Sequence, residues 1–340
     1  MTSRATSLAT AGASIAALAS QPALRRFLLK WSGFNAPGGV WRILAILLAL
    51  ANLKNLPGVW HFRFFRAFFY HLHFQPTPIP PHALFQPVIT SSRTTLLETD
   101  YNLHKSNSTY FSDMDVSRTH LFTAIIRSAI LKDKKKNKSV TFGASATQGT
   151  KGRHIIALGG ISCLFKKEIL PYRKYEMWTR LLCWDRKWFY LVTHLVKPGV
   201  ARPKSWTLQP WRKTTTADGV DAEKLKSAIF ATAIAKYVIK KGRITVPPEQ
   251  VLLDAEMVPV KPEGWVYDGD DNEANGGLNG STESFVPKVV GEGEWTWDVI
   301  EKERLKGSKF AEHFAAMDGL HDVFDGGKEG VMGEYADLLF

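Results

Sequence analysis

Between Ser108 and Lys132 apolar side chains return at steps of three and four: Tyr110, Phe111, Met114, Leu121, Phe122, Ile125, Ile126, Ala129 and Ile130. That spacing puts them on one side of an α-helix. Asn107 or Ser108 is placed to cap its first turn, and the basic run Lys132–Lys138 ends it in solvent. Upstream, the stretch FQPVITSSRTT is strand-like. Downstream come three extended stretches, HIIALGGISCLF, KYEMWTRLLCW and KWFYLVTHLV. The last two flank Asp185-Arg186 and so predict a hairpin. IFATAIAKYVIKKGRITV fits either a helix or a strand by its spacing, and VPPEQVLLD predicts a short helix with proline at its start. A strand, one long helix and then several strands make an α+β fold, an antiparallel sheet against a single buried helix. Such a sheet keeps open edges, and pairing through an edge into a homodimer is the expected remedy.

The pattern before this body is different. Residues 1–30 are rich in Ala, Ser and Leu, carry Arg4, Arg25, Arg26 and Lys30, and contain no acid. That composition suits a targeting segment or a membrane-surface helix. Val40 to Trp60 is mainly apolar: it either lies on the membrane or packs on the domain, or spans a membrane as a helix of about 20 residues whose Arg42 and Lys54 reach the interfaces. Trp41 and Trp60 would then mark the two boundaries. HFRFFRAFFYHLHF, His61 to Phe74, suits the headgroup level. The prolines of QPTPIPPHA stop any helix. The expected organisation is an anchor over 1–74, a Pro-rich linker over 75–83, a body over 84–260 and an acidic, partly disordered extension over 261–340. An endoplasmic-reticulum or a mitochondrial membrane is the expected location.

Charge sharpens that division. The chain has 44 Lys+Arg and 32 Asp+Glu, a net charge of +12. From Lys261 onward 7 basic and 18 acidic residues give −11, so residues 1–260 carry +23, and the first acid is Glu98. A basic body suits anionic lipid or a phosphorylated ligand. No zinc-finger spacing, basic zipper or RNA-recognition motif supports nucleic acid as a partner. The two cysteines, Cys163 and Cys183, fall in predicted strands and are expected to be buried and reduced. Nothing calls for a cofactor or a metal. WTWDVIEKERLKGSKFAEHFAAMDGLHDVF, near the C-terminus, has room for one or two helices.

The densest polar chemistry lies just before the long helix. Asp100 stands four residues before His104, and Ser106, Asn107 and Ser108 follow. A helix N-terminus offers unpaired N–H groups and partial positive charge. Those donors stabilise an oxyanion developing on a thioester carbonyl. A carboxylate beside them acts as general base or as nucleophile, with His104 and Asn107 orienting it. The chain has no G-x-S-x-G elbow, the signature of the common serine-hydrolase route. The alternative is a plain turn at Asp100 and a plain cap at Asn107.

DYNLHKSNSTY, Asp100 to Tyr110, resembles the signature of the hotdog-fold thioesterases, in which an Asp precedes G-H-V-N-N-x-x-Y. The steps from Asp100 to His104, Asn107 and Tyr110 are kept; Leu103 stands at the glycine and Ser106 at the first asparagine. Asp115 and Arg118 match an acid and an arginine usual on the central helix. YEMWTRLLCWDRKWFYL, Tyr175 to Leu191, and YVIKKGRITVPPEQVL, Tyr237 to Leu252, also resemble this group, notably its thioesterase superfamily member six-like branch and fungal thioesterase-like proteins. The likeness spans roughly residues 84–255. It implies a hotdog fold, an antiparallel sheet wrapped around one central helix. It implies catalysis by Asp100 with His104 and Asn107, and a substrate channel near Ser106, Ser108 and Tyr110. The substrate would be an acyl thioester of coenzyme A or a carrier protein, with Lys151, Arg153, Lys166, Lys167 and Arg173 as candidate phosphate ligands. Two readings follow: a membrane-associated acyl-thioester hydrolase in lipid or secondary metabolism, and a non-catalytic hotdog module that binds acyl chains or scaffolds a membrane assembly. A hotdog hydratase would need a different His/Asp arrangement.

Overall fold

The long helix forms where the apolar spacing places it, but it continues through the basic run expected to end it, as far as Asn137. A computed structural model describes residues 21–33, 36–137, 154–201, 203, 205–212, 222–241, 243–267, 292–323 and 332. Lys151, Arg153, most of the early Ala/Ser-rich segment and the acidic connector 268–291 lie outside the described residues. Seven α-helices are described: α1 Pro22–Ser32, α2 Gly39–Ala51, α3 Val59–Phe69, α4 Asn107–Asn137, α5 Ala222–Ser227, α6 Pro248–Asp254 and α7 Trp297–Ala316. The strands are β1 Val88–Arg93, β2 His154–Phe165, β3 Lys174–Trp184, β4 Phe189–Val196, β5 Ile229–Lys241 and β6 Ile244–Val246.

The strands make one antiparallel sheet in the order β1-β3-β4-β5-β2, with β6 pairing to the end of β5. β3 and β4 are the predicted hairpin. Asp185 closes it: its Oδ1 accepts the N–H groups of Lys187 at 2.6 Å and Trp188 at 2.7 Å. The ambiguous stretch resolves as a strand paired on both sides, by β4 and β2; Ala231, Ala233, Ala235, Tyr237 and Ile239 are buried at every second position, and Lys236 and Val238 between them are buried too. Its alanines make room for α4, whose Leu121, Phe122, Ile125, Ile126 and Ile130 join Leu181, Leu191, Ala235 and Ile239 in the main core. Burying each such large side chain contributes about 1.5–3 kcal/mol. The sheet wrapped on α4 is the expected α+β hotdog arrangement. β2 and β1 are its edges.

Part of the second sheet face, over β3 and β4, is covered as well, which the single-helix expectation missed. Helix α7 buries Trp297, Ile300, Ala311 and Phe314, and packs the last two against Cys183 and Tyr190. Gly307 permits the approach, because a Cβ there would lie 2.3 Å from the carbonyl oxygen of Leu182. Cys183 is buried and Cys163 half-buried, both as free thiols. Burial pushes Cys183 up to about 12 and Cys163 to about 11.

The N-terminal segment departs from a spanning helix. α2 ends at Ala51, and no helix among the described residues is long and apolar enough to cross a membrane. Lys54 does not reach outward. It points into the protein and meets Glu98 at 2.7 Å and Asp113 at 2.9 Å. α3 lies along α4: Trp60 Nε1 donates to the Ser112 carbonyl at 3.3 Å, and Arg63 pairs with Asp113 at 2.6 Å. After α3 a π-helical turn, Tyr70–Phe74, buries His71 and Leu72.

Candidate active site

The turn holding Asp100 is assembled from both sides. A single 3-10 turn, Leu96–Glu98, is closed by a capping box in which the Glu98 carboxylate accepts the Thr95 N–H at 3.1 Å. The N-terminal segment clamps it from below. Buried Asn52 accepts the Leu97 N–H at 2.9 Å, and Asn55 donates to Thr95 Oγ1 at 2.8 Å. The chain then reverses. Thr99 and Lys105 form an antiparallel bridge, the Asp100 N–H donates to the His104 carbonyl at 2.9 Å, and the Leu103 N–H donates to the Asp100 carbonyl at 3.0 Å. Lys105 is tied to Ile169 and Ser106 to Glu98 by backbone bonds of 2.8 and 2.7 Å.

Leu103 has φ 60°, in the left-handed region. It stands where the signature carries glycine, and it adopts the conformation for which glycine is chosen. The loop therefore keeps its path, at a strain of about 1–2 kcal/mol. The side chain costs little in packing because it lies in solvent.

Asp100 is half-buried. Its Oδ1 accepts the N–H groups of Asn102 at 2.9 Å and His104 at 3.3 Å, an Asx turn that holds the carboxylate in place. His104 and Ser106 are also half-buried, while Asn107 and Ser108 are exposed. The capping expectation shifts by one residue. Ser106 precedes α4, and its carbonyl accepts the N–H and hydroxyl of Thr109 at 3.0 and 2.7 Å. Asn107 and Ser108 lie in the first turn itself, and Ser108 shares a hydroxyl contact of 3.2 Å with Ser106. Tyr110 turns inward. It is 2% exposed, packs edge-on to Phe165 at 5.1 Å, and burial, with Cys163 and Asp100 nearby, pushes its hydroxyl up. Asp115 and Arg118 pair at 2.6 Å along the helix, and the guanidinium lies 5.6 Å from the Tyr237 ring centre. Lys166 and Lys167 donate to the carbonyls of Lys226 and Ser227 at the end of α5.

Beneath this turn lies a charge network that the sequence reading did not find. Asp113 is wholly buried, and so is the Lys105 ammonium. Lys54, Arg63 and Lys105 approach Asp113 at 2.9, 2.6 and 3.2 Å; Lys54 and Lys105 also reach Glu98 at 2.7 and 3.3 Å. The Tyr175 hydroxyl donates to Asp113, and Ser92 Oγ lies 3.4 Å away. Burial alone would raise the Asp113 carboxyl. The three cations and the Tyr175 hydroxyl outweigh it and hold the group well below the usual carboxylate range. Burial pulls the Lys105 ammonium down, only partly opposed by Asp113 and Glu98. A signal was present: Asp113 lies in the helical register of Tyr110 and Ser117 on the inward face, and Lys105 occupies the signature's valine. A charge on a buried stripe needs partners.

This geometry places a tethered carboxylate, an imidazole and two hydroxyls at the mouth of a 31-residue helix, with a rigid ionic floor below them. Residues 94–252 match the thioesterase-like superfamily. Thioesterase poxG of Penicillium oxalicum is 36% identical over 310 residues, 86% of this chain and 92% of that protein. The probable thioesterase atnL of Emericella nidulans is 34% identical, over 86% of this chain and 91% of that one. A solved hypothetical protein from Aquifex aeolicus is 18% identical, covers 50% of this chain and 99% of its own, and superposes with a TM-score of 0.31. The chain belongs to the thioesterase-like superfamily.

Proposed function

We propose that this protein hydrolyses an acyl thioester of coenzyme A or a carrier protein, with Asp100 as general base or nucleophile. The observation that carries the reading is the Asx turn. It fixes Asp100 Oδ1 with two backbone N–H groups, thirteen residues before Asp113 in the second turn of α4 joins the ionic floor. A carboxylate so held accepts a proton from water, the hydroxide adds to the acyl carbon, and the thiol leaves with a proton. The amides opening α4 favour the oxyanion of the intermediate. Thioesterase names among the relatives support the reaction class. The left-handed Leu103 supports a loop that keeps its working shape despite the lost glycine. A homodimer joined at a sheet edge supplies the rest of the acyl site, and the N-terminal helices bring the enzyme to a membrane.

The test uses the full chain, because Asn52, Lys54 and Asn55 belong to the seat of the turn. Thiol release from acyl-CoA substrates of graded length is compared between wild type and Asp100→Asn. The variant should lose roughly a hundredfold or more in kcat with its melting temperature unchanged. Equal turnover in both would remove Asp100 from the chemistry. Tight acyl-CoA binding without release by the wild type would favour the binding-module reading.

A further inference from the structure

The N-terminal helices have a second face that nothing in the chain covers among the described residues. α2 exposes Val40, Trp41, Leu44, Leu47, Leu48 and Leu50, each at least 49% accessible. At 100° per residue these cover roughly half its circumference. Phe62, Phe65 and Phe69 make an exposed stripe on α3 at steps of three and four. α1 adds Phe27 and Trp31, one turn apart. So many exposed large apolar side chains on three successive helices go beyond the single surface hydrophobics that need no explanation.

Its position is fixed. The opposite side of α3 is held on α4 by Arg63–Asp113 and by Trp60, and the π-helical turn after it by a His71–His120 contact of 2.8 Å. The stripe therefore faces away from the body at a set angle. The 13 residues of α2 are about 20 Å long, short of a hydrocarbon core of about 30 Å.

Charge selects the occupant. Arg25, Arg26, Lys30, Arg42 and Arg66 are exposed around this surface, and no acidic residue precedes Glu98. A twofold interface would set the patch against itself, opposing these cations to their copies with no carboxylate from the same segment to offset them. A surface of anionic headgroups over hydrocarbon satisfies both the cations and the apolar side chains. We infer that α1–α3 form an in-plane docking surface for one leaflet of an anionic phospholipid bilayer, with Trp41, Leu44, Leu47, Leu48 and the α3 phenylalanines entering the acyl boundary. The inference rests on the membrane-associated reading above and specifies its mode. The site turn is seated on this same segment through Asn52, Lys54 and Asn55, so docking sets the distance and tilt of the Asp100 loop relative to the bilayer.

The experiment is flotation of the full-length protein with vesicles of phosphatidylcholine, with and without phosphatidylserine, at low and high salt. Wild type should float with the anionic vesicles, lose binding as salt rises, and bind neutral vesicles more weakly. Leu44→Glu/Leu48→Glu should abolish flotation while its melting temperature and soluble acyl-CoA turnover stay at wild-type values. Arg25→Gln/Arg26→Gln should lower anionic partitioning by about fivefold for each charge removed. Equal flotation on neutral and anionic vesicles would overturn the choice of lipid and leave membrane association standing. No flotation with any vesicle would overturn both. If the leucine variant turned a dimer into a monomer without vesicles, the patch would be a subunit interface and the inference would fall. Turnover by Asp100 is independent of all these results, so failure here does not touch the hydrolase reading.

Discussion

Asp113→Asn isolates the ionic floor beneath the site turn. The substitution keeps shape and removes one charge from a side chain that is wholly buried. In the native protein Lys54, Arg63 and Lys105 face Glu98 and Asp113, three cations on two carboxylates. After the change one carboxylate must serve all three. Glu98 reaches Lys54 and Lys105, whereas the ion pair that Arg63 makes in this network is with Asp113. Breaking a buried pair by removing one partner costs about 3–5 kcal/mol, so guanidinium unfolding should show a loss of that size with an unchanged slope. Lys105→Met takes the same network from an excess of one cation to balance, and should cost clearly less. The pH dependence has a defined sign. Asp113 titrates below its unfolded value, so the unfolded chain binds more protons in acid. The contribution is complete above about pH 4 and fades as pH falls toward the depressed folded value, and the Asn variant should lack that part of the acid slope. A loss under about 1 kcal/mol, or a larger loss for Lys105→Met than for Asp113→Asn, would refute the network as the support of the turn.

Three further outcomes follow from single sites. Leu103→Gly relieves a left-handed non-glycine residue whose side chain is in solvent, so the unfolding free energy from a urea titration should rise by up to about 1 kcal/mol; a fall of that size would show that the leucine side chain holds the loop. Gly307→Ala, in an ordinary helix, would gain about 1 kcal/mol. Here the new methyl meets the Leu182 carbonyl, so urea titration should show a loss of about 1–3 kcal/mol instead. His120, buried against His71, is pulled down to about 3 by burial, with His71 and Arg66 adding to it. The unfolded chain then binds the extra proton between about pH 6.5 and 3. Melting temperature should decline across that window on acidification, and His120→Gln should flatten the decline.

The helix and the sheet were legible because their evidence is local. Apolar residues at steps of three and four specify the body of α4, and β3 shows the alternate burial of a half-buried strand, whereas β5, buried continuously over 235–239, kept the helix-or-strand ambiguity of its sequence. The Asp100–Tyr110 segment was legible as a spaced set of polar types, yet periodicity places Tyr110 in the core and could not say that Asp100 closes an Asx turn. The ionic floor was not legible, because its partners lie 59 residues apart for Lys54 and Asp113 and 62 apart for Tyr175 and Asp113. A lysine at the end of an apolar run has two physically sound fates: to reach the headgroups, or to find a buried carboxylate. Local sequence does not separate them; the path of the chain back to Glu98 does. The same limit hid the double nature of residues 22–74. One side of this segment seats the Asp100 turn through Asn52, Lys54 and Asn55, and the other exposes leucine, tryptophan and phenylalanine. Deleting it would remove support and docking together, and a lost activity could be assigned to neither. Asp113→Asn and Leu44→Glu/Leu48→Glu divide them, because the first alters only the inner face and the second only the outer one.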